Sequence, residues 1–139
     1  MTRHECREAV FSLIFEAEFN REKTADEIIA DAVEIRGLKN EKYITETFRG
    51  VMANIPEIDE TISTYAENWK ISRMSKVSRS ILRLAVYEMM FTEVPPKAVI
   101  NEAVEIAKDY DDKAASGFIN GILNKIAREK GFIKEVVEQ

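Results

Sequence analysis

The chain is organised around residues 76–110, which read KVSRSILRLAVYEMMFTEVPPKAVINEAVEIAKDY. Before the two prolines, apolar residues recur at helical intervals and also fill the gaps between them, which predicts a helix with little surface facing water. Pro95 and Pro96 end this helix and begin another, because proline lacks the amide hydrogen that a helix interior needs but is accepted in a first turn. One side of the second helix is apolar and carries Ile100, Ala103, Val104 and Ala107. We therefore expect an enclosed central helix with an amphipathic helix packed on it.

The helical period recurs along the rest of the chain. Upstream it predicts helices over about residues 7–19, 24–36, 41–53 and 56–69. Downstream it predicts a last helix that begins after Asp111 and Asp112, ends at Gly131 and leaves residues 132–139 as a tail of uncertain order. No alternating stretch with hairpin signals occurs. We therefore predict an all-α fold of about seven helices, in two small packed bundles around a long central helix.

Local signals mark several helix ends. Thr24 followed by Glu27 matches a capping box, and Gly37 can end that helix in a left-handed conformation.

The fourth predicted helix is acidic outside and apolar inside, where the inward residues are Ile58, Ile62, Tyr65, Ala66 and Trp69. A break at residues 54–56 divides the chain into sub-bundles over about residues 1–54 and 55–139. We predict that both belong to one domain, 1–139.

Composition limits the class of protein. A chain of 139 residues with 45% hydrophobic content can bury roughly two-thirds of its unfolded surface without disulfides. The single cysteine, Cys6, cannot form an internal disulfide, and no leader or long apolar run occurs, so we expect a cytoplasmic protein without a membrane span. The net charge of −5 argues against a protein that coats duplex DNA nonspecifically, although a local basic site remains compatible with it.

The residues give little support for catalysis. The one histidine, His4, and the one cysteine, Cys6, both lie near an amino terminus, where a helix usually frays, and no glycine-rich loop could hold phosphate groups. Glu102 and Glu105 have a spacing found in carboxylate metal sites, but no histidine follows to complete such a site. We therefore expect a protein that is not an enzyme and that holds no cofactor and no metal.

Basic residues form three clusters in this acidic chain. The first contains five cations and no acid between residues 70 and 87, namely Lys70, Arg73, Lys76, Arg79 and Arg83. The other two clusters are Lys125, Arg128, Lys130 and Lys134, and Arg3, His4 and Arg7. The cations of the first cluster either pair with acids in residues 57–67 or 102–112, or contact phosphate groups. The sequence leaves both interpretations open.

Residues 117–121 also allow two interpretations. Phe118 is either part of the core or a surface ring that stacks on an unpaired base, while Asn120 offers both a donor and an acceptor to a base edge. Gly117 and Gly121 suit either case, because a missing side chain lets a helix or a ligand approach closely.

Four segments together resemble the NusB family of transcription antitermination factors. They are REAVFSLIF at 7–15, ILRLAVYEM at 81–89, PPKAVINEAVEIAK at 95–108 and SGFINGILNKI at 116–126. The resemblance implies an all-helical RNA-binding factor without catalysis. It also implies binding to the single-stranded boxA element of ribosomal RNA leader transcripts together with NusE, a small-subunit ribosomal protein, so that RNA polymerase passes terminators. Family members occur as monomers and as dimers, which leaves a homodimer open.

The resemblance also assigns roles to residues. Arg7, Phe15, Phe118 and Asn120 match family positions, and Arg3 and His4 occupy the more basic leader of the family. We expect phosphate contacts from Arg3, Arg7 and either Lys76 or Arg79, and base contacts from Phe118 and its neighbours. The full predicted RNA-binding set is Arg3, His4, Arg7, Phe15, Lys76, Arg79, Phe118, Asn120 and Lys125.

One departure from the family bears on affinity. Many relatives carry a run of arginines at the amino terminus, whereas here Arg3 and Arg7 alternate with Glu5 and Glu8. We therefore expect weaker RNA binding by the chain alone, a shallower salt dependence and a larger contribution from NusE, which would dock on the acidic fourth helix or the exposed edge of the central helix. The alternative is a helical protein-interaction module that keeps the fold without binding RNA.

Overall fold

The computed structural model describes residues 1–67 and 69–132. Within these ranges the chain forms seven α-helices and no strand, which confirms the all-α prediction. They are α1 (Arg3–Ala17), α2 (Ala25–Arg36), α3 (Lys42–Ala53), α4 (Ile55–Tyr65), α5 (Lys76–Phe91), α6 (Pro96–Tyr110) and α7 (Lys113–Glu129), with a 3-10 turn, η1, at Ile71–Arg73. None of these described helices has both the length and the apolar character needed to cross a bilayer. Of the predicted tail, residues 133–139 lie outside the described residues, and so does Lys134 of the second basic cluster.

The chain divides into two compact units, Met1–Ile55 and Pro56–Gln139. In the first unit, α1 packs against α2 and α3. The predicted apolar stripe of α1 is buried, including Val10, Leu13 and Ile14, and it meets an interior that also contains Phe48 of α3. Hydrophobic burial of this wide face is therefore what holds the three helices together.

The first helix begins four residues earlier than the period indicates. Thr2 forms a capping box, in which its hydroxyl accepts from the Glu5 amide at 3.1 Å and the Glu5 carboxylate accepts from the Thr2 amide at 3.0 Å. His4 and Cys6 therefore lie inside the helix, and the expectation of a frayed end is wrong. Cys6 is buried and its Sγ donates to Glu41 Oε2 at 3.2 Å. Burial, followed by this hydrogen bond, raises the pKa of the Cys6 thiol, which disfavours a nucleophilic thiolate.

The end signals of α2 are confirmed. Thr24 and Glu27 form the predicted capping box, and Gly37 caps the other end with φ 66° and ψ 29°. This left-handed conformation is unfavourable for a residue with a Cβ atom, which explains why glycine is suited to the position.

In the second unit, α5 is enclosed as predicted. Ten of its sixteen residues are buried, and α6 and α7 pack against it and against each other. Ser75 caps its amino end by accepting from the Ser78 amide at 3.0 Å, while Pro96 occupies the first turn of α6. Asp112 caps α7 by accepting from the Ala115 amide at 2.8 Å. The directions of these three helices are thus fixed by local caps as well as by the core.

The carboxyl end of α4 departs from the prediction. The helix ends at Tyr65, and Glu67 adopts a left-handed conformation with φ 34°, which turns the chain away from the helical path. Ile58, Ile62 and Ala66 are buried as expected, but Trp69 is 56% exposed, so its inward assignment is wrong. Apolar spacing alone could not show that the helix stops before Trp69.

The core of the second unit yields a stability prediction. Leu123 of α7 is fully buried, and Leu123→Ala should lower the free energy of unfolding by about 2–5 kcal/mol because it leaves a cavity. Asn124→Ala is the matched control, since the amide of Asn124 bonds only within its own helix, to Asn120. Urea denaturation followed by circular dichroism measures both variants. Equal losses in the two would contradict the packing described here.

Candidate nucleic-acid interface

The basic residues of α1 are arranged around an aromatic ring. The Arg3 guanidinium carbon lies 4.0 Å from the centroid of the Tyr43 ring, and that of Arg7 lies 5.9 Å away. Arg3 is exposed, whereas Arg7 retains only 7% of its accessible surface. Cation–π contacts of this kind orient a guanidinium without neutralising it. Of these two arginines, Arg3 therefore presents more surface to an incoming anion.

The acids that alternate with these cations have partners of their own. Glu8 lies 3.2 Å from Nε2 of His4, one helical turn away. The hydrogen bond from the Thr2 amide holds the pKa of the Glu5 carboxyl below its usual range. Glu5 is therefore ionised as part of the helix cap.

The Phe15 ring lies between two other rings, one within α1 and one just after its end. Its ring centroid lies 6.3 Å from that of Phe11 and 5.2 Å from that of Phe19, the latter in an edge-to-face arrangement. Phe11 is buried, Phe15 is half-buried and Phe19 is exposed. Sequence reasoning named Phe15 as a site residue but did not single out Phe19, which lies two residues beyond the end of α1.

The five central cations do not form one surface. Arg83 binds Asp59 of α4 through two hydrogen bonds of 2.9 and 2.8 Å, so for this residue the pairing interpretation is confirmed. Arg79 is buried and its Nη1 donates to the Ile71 carbonyl at 3.1 Å, which ties η1 to α5. Lys70, Arg73 and Lys76 are exposed. The accessible part of this cluster therefore lies at and before the amino end of α5.

Phe118 is neither fully core nor free. Its side chain is half-buried, and its ring meets that of Trp69 edge-to-face, with centroids 4.9 Å apart. Beside the two rings lies a cavity of about 250 Å³ whose lining includes Gly117, Gly121 and Lys125. A Cβ atom at either glycine would meet no described atom within 4 Å, so no described helix packs over them. This face of α7 is therefore open.

Two polar residues of α7, Asn120 and Lys125, were predicted to contact RNA. Asn120 is exposed and its Oδ1 accepts from Asn124 Nδ2 at 3.1 Å, which leaves its own amide group at the surface. Lys125 forms an ion pair with Glu67, and the hydrogen bond and charge of Lys125 lower the pKa of the Glu67 carboxyl. Phe118 and Lys125 therefore place a ring and a cation on one side of α7, while the Asn120 amide is exposed on another side of the helix.

Comparison with protein families identifies a match over most of the chain. A model described as the NusB family matches residues 4–128. A curated relative from Natranaerobius thermophilus, the transcription antitermination protein NusB, is 42% identical over 134 residues, covering 93% of this chain and 96% of the relative. Similarity therefore extends across both units.

Solved structures agree with this match. NusB of T. maritima is 38% identical and superposes with a TM-score of 0.81, covering 93% of this chain and 92% of that one. A crystal structure of the antitermination factors NusB and NusE in complex with dsRNA contains a chain that is 28% identical, with a TM-score of 0.80 and coverage of 93% and 99%.

The ion pair beside Phe118 gives a prediction about pH. Lys125→Met should return the pKa of the Glu67 carboxyl upward to its ordinary range, while Lys130→Met, at an exposed lysine farther along the chain, should not. Because the folded-state pKa is lowered, the pair stabilises the fold above the ordinary carboxyl pKa, and this contribution is lost as the pH falls through the lowered value. An NMR titration of the Glu67 side chain measures the shift. An unchanged titration in Lys125→Met would contradict the assignment.

Proposed function

The chain belongs to the NusB family, and from that membership we propose that it is a transcription antitermination factor that binds single-stranded boxA RNA together with a NusE-type ribosomal protein. The observation that carries the proposal is the open face of α7, where Phe118 and Lys125 line one cavity, with Asn120 exposed on another side of the same helix. Single-stranded RNA is typically bound by rings that stack on unpaired bases and by polar groups that reach base edges. The relative from Natranaerobius thermophilus carries the name that this proposal extends to the present chain.

RNA contacts are proposed for each unit by itself. In the first unit, Arg3 contacts phosphate, Arg7 adds positive charge, His4 offers an imidazole and Phe15 offers a ring. In the second unit, Phe118 stacks on a base, and the polar contacts come from Asn120, Lys125 and Lys76. Arg79 is left out of the surface, because its guanidinium is buried against the carbonyl of Ile71.

A NusE-type partner fits the acidic side of α4. Glu57 and Glu60 are exposed there, whereas Asp59 is engaged by Arg83. A basic ribosomal protein would be steered towards the two exposed acids, since complementary charge accelerates encounter. We propose that this complex acts on RNA polymerase in the cytoplasm and that it binds without catalysing a reaction.

Strand specificity is the central test of the proposal. Fluorescence anisotropy compares a boxA-like single strand, a scrambled strand and an annealed boxA duplex, each with and without the NusE-type protein. We expect the boxA single strand to bind best and the partner to strengthen it. Equal, weak binding to every RNA under all conditions would favour the alternative of a protein-interaction module. Repeating the titration at several protein concentrations shows whether a homodimer covers the RNA site.

The same assay tests Phe118. Phe118→Ala should weaken boxA binding by about 1–3 kcal/mol, the usual contribution of one ring stacked on a base. The matched control is Phe91→Ala, because Phe91 is also partly exposed and pairs with a neighbouring ring, that of Tyr87, at 5.4 Å. If Phe118→Ala instead lowers the melting temperature strongly and leaves RNA binding intact, Phe118 is a core residue.

The contribution of Arg3 is measured by salt dependence. Each phosphate contact to a single strand contributes about 0.7 to the slope of log affinity against log salt concentration, because binding releases counterions. Arg3→Gln should therefore reduce the slope by about this amount. Arg21→Gln is the control, since Arg21 is an exposed arginine of the same unit that lies outside the proposed surface. Identical slopes for both variants and the unaltered protein would remove Arg3 from the RNA surface.

A further inference from the structure

Trp69 occupies an unusual position for a tryptophan. It follows the end of α4 and precedes η1, and 56% of its surface is exposed while its ring is fixed edge-to-face against Phe118. A large ring that stays exposed in a defined orientation is characteristic of recognition surfaces rather than of the core. Trp69 is not among the predicted RNA-binding residues, so its exposed ring has no role assigned so far.

The two rings form a wall between two cavities. Trp69 and Phe118 both line the cavity of about 250 Å³ that also contains Gly117 and Gly121. They also line a second cavity, of about 330 Å³, whose lining includes Arg73 and Asp111. A flat group can therefore approach the ring pair from either side. Two adjacent flat groups would match this arrangement, as in successive bases of one strand.

Two cations lie close to Trp69 in the chain and can meet an anionic strand, since Lys70 follows it directly and Arg73 lines the same cavity. Lys70 and Arg73 are exposed, and their side chains have no hydrogen-bond or ion-pair partner among the described residues. Two acids, Asp111 and Asp112, line the same cavity and keep their negative charge, but hydrogen bonds within the protein hold both carboxylates in place. Asp111 accepts from the Asp112 amide at 2.9 Å and from the Ser78 hydroxyl at 3.3 Å, and Asp112 accepts from the Ala115 amide at 2.8 Å. Of these four charged side chains, those of Lys70 and Arg73 are therefore the ones that can turn towards a phosphate group.

We propose that Trp69 is a second stacking platform, which binds an unpaired base next to the one at Phe118 while Lys70 and Arg73 contact the flanking phosphates. This inference rests on the proposed function. It adds Trp69, Lys70 and Arg73 to the residues proposed to bind RNA. Unpaired bases suit the site because a base can stack on a protein ring only when it is free of the neighbouring bases, as in a single strand. Stacking is also tolerant of sequence, since every base has a flat face.

Trp69 is the only tryptophan in the chain, so its fluorescence reports directly on the site. Saturation with a boxA-like single strand should quench it. Trp69→Ala should weaken binding by about 5- to 150-fold, which corresponds to the usual 1–3 kcal/mol for one stacked base. Trp69→Phe, which keeps a flat ring, should retain most of the affinity, and Phe91→Ala should retain all of it. The loss should be similar for boxA and scrambled strands, so that their affinity ratio is preserved.

The outcomes separate this inference from the proposed function. Unchanged tryptophan fluorescence at saturating RNA, or equal weakening in Trp69→Ala and Trp69→Phe, would overturn the stacking role even if boxA binding itself is confirmed. Weakened binding of the NusE-type protein with unaltered RNA binding would assign Trp69 to a protein interface instead. Absence of RNA binding by the unaltered chain would overturn the proposed function. If Trp69→Ala melts at a lower temperature, the fluorescence of the unaltered protein and the Trp69→Phe affinity decide the question.

Discussion

Burial of α5 is the constraint on which the second unit depends. A helix with ten of its sixteen residues buried has almost no face that water can solvate, so other helices must cover it. Each large apolar side chain enclosed in this way contributes about 1.5–3 kcal/mol, and α6 and α7 supply the cover. Two polar contacts refine the fit, because Arg83 holds Asp59 of α4 and Arg79 holds η1. These cations therefore stabilise the fold rather than present charge to a ligand.

The packing of α7 on this core determines which of its residues remain available. Its buried positions are Ser116, Ile119, Ile122, Leu123, Ile126 and Ala127, and they fix the rotation of the helix about its axis. Once that rotation is fixed, Phe118, Gly121 and Lys125 share a different side, since residues three and four apart lie on one face. The side chains of the proposed RNA surface are thus positioned by apolar neighbours that do not contact RNA. A rigid support of this kind reduces the entropy that binding would otherwise cost.

Sequence reasoning reached the elements of the fold because each rests on local signals. The helical period, the proline pair before α6, the Thr24 capping box and Gly37 all act within a few residues of the features they specify. The candidate site was less accessible to such reasoning. Arg79 and Arg83 are four residues apart, yet one bonds a backbone carbonyl and the other a carboxylate, because their partners come from different parts of the chain. The exposure of Trp69 depends on a left-handed residue, Glu67, whose identity does not signal that conformation.

The charge distribution indicates which forces an RNA complex of this protein would use. The chain carries 20 basic and 25 acidic residues, and several cations are held by acids of the same unit, as Arg83 is by Asp59. Lys125 has Glu67 beside it, so a phosphate group would compete with a carboxylate for the same ammonium. Counterion release from so few available cations gives a limited and salt-sensitive contribution. The stacking of bases on aromatic rings depends much less on salt concentration. The paired rings of Trp69 and Phe118 provide a surface for such stacking without further positive charge. An acidic member of the NusB family would therefore obtain its RNA affinity mainly from bases stacked on aromatic rings and from its protein partner. Phosphate contacts would serve to position the strand.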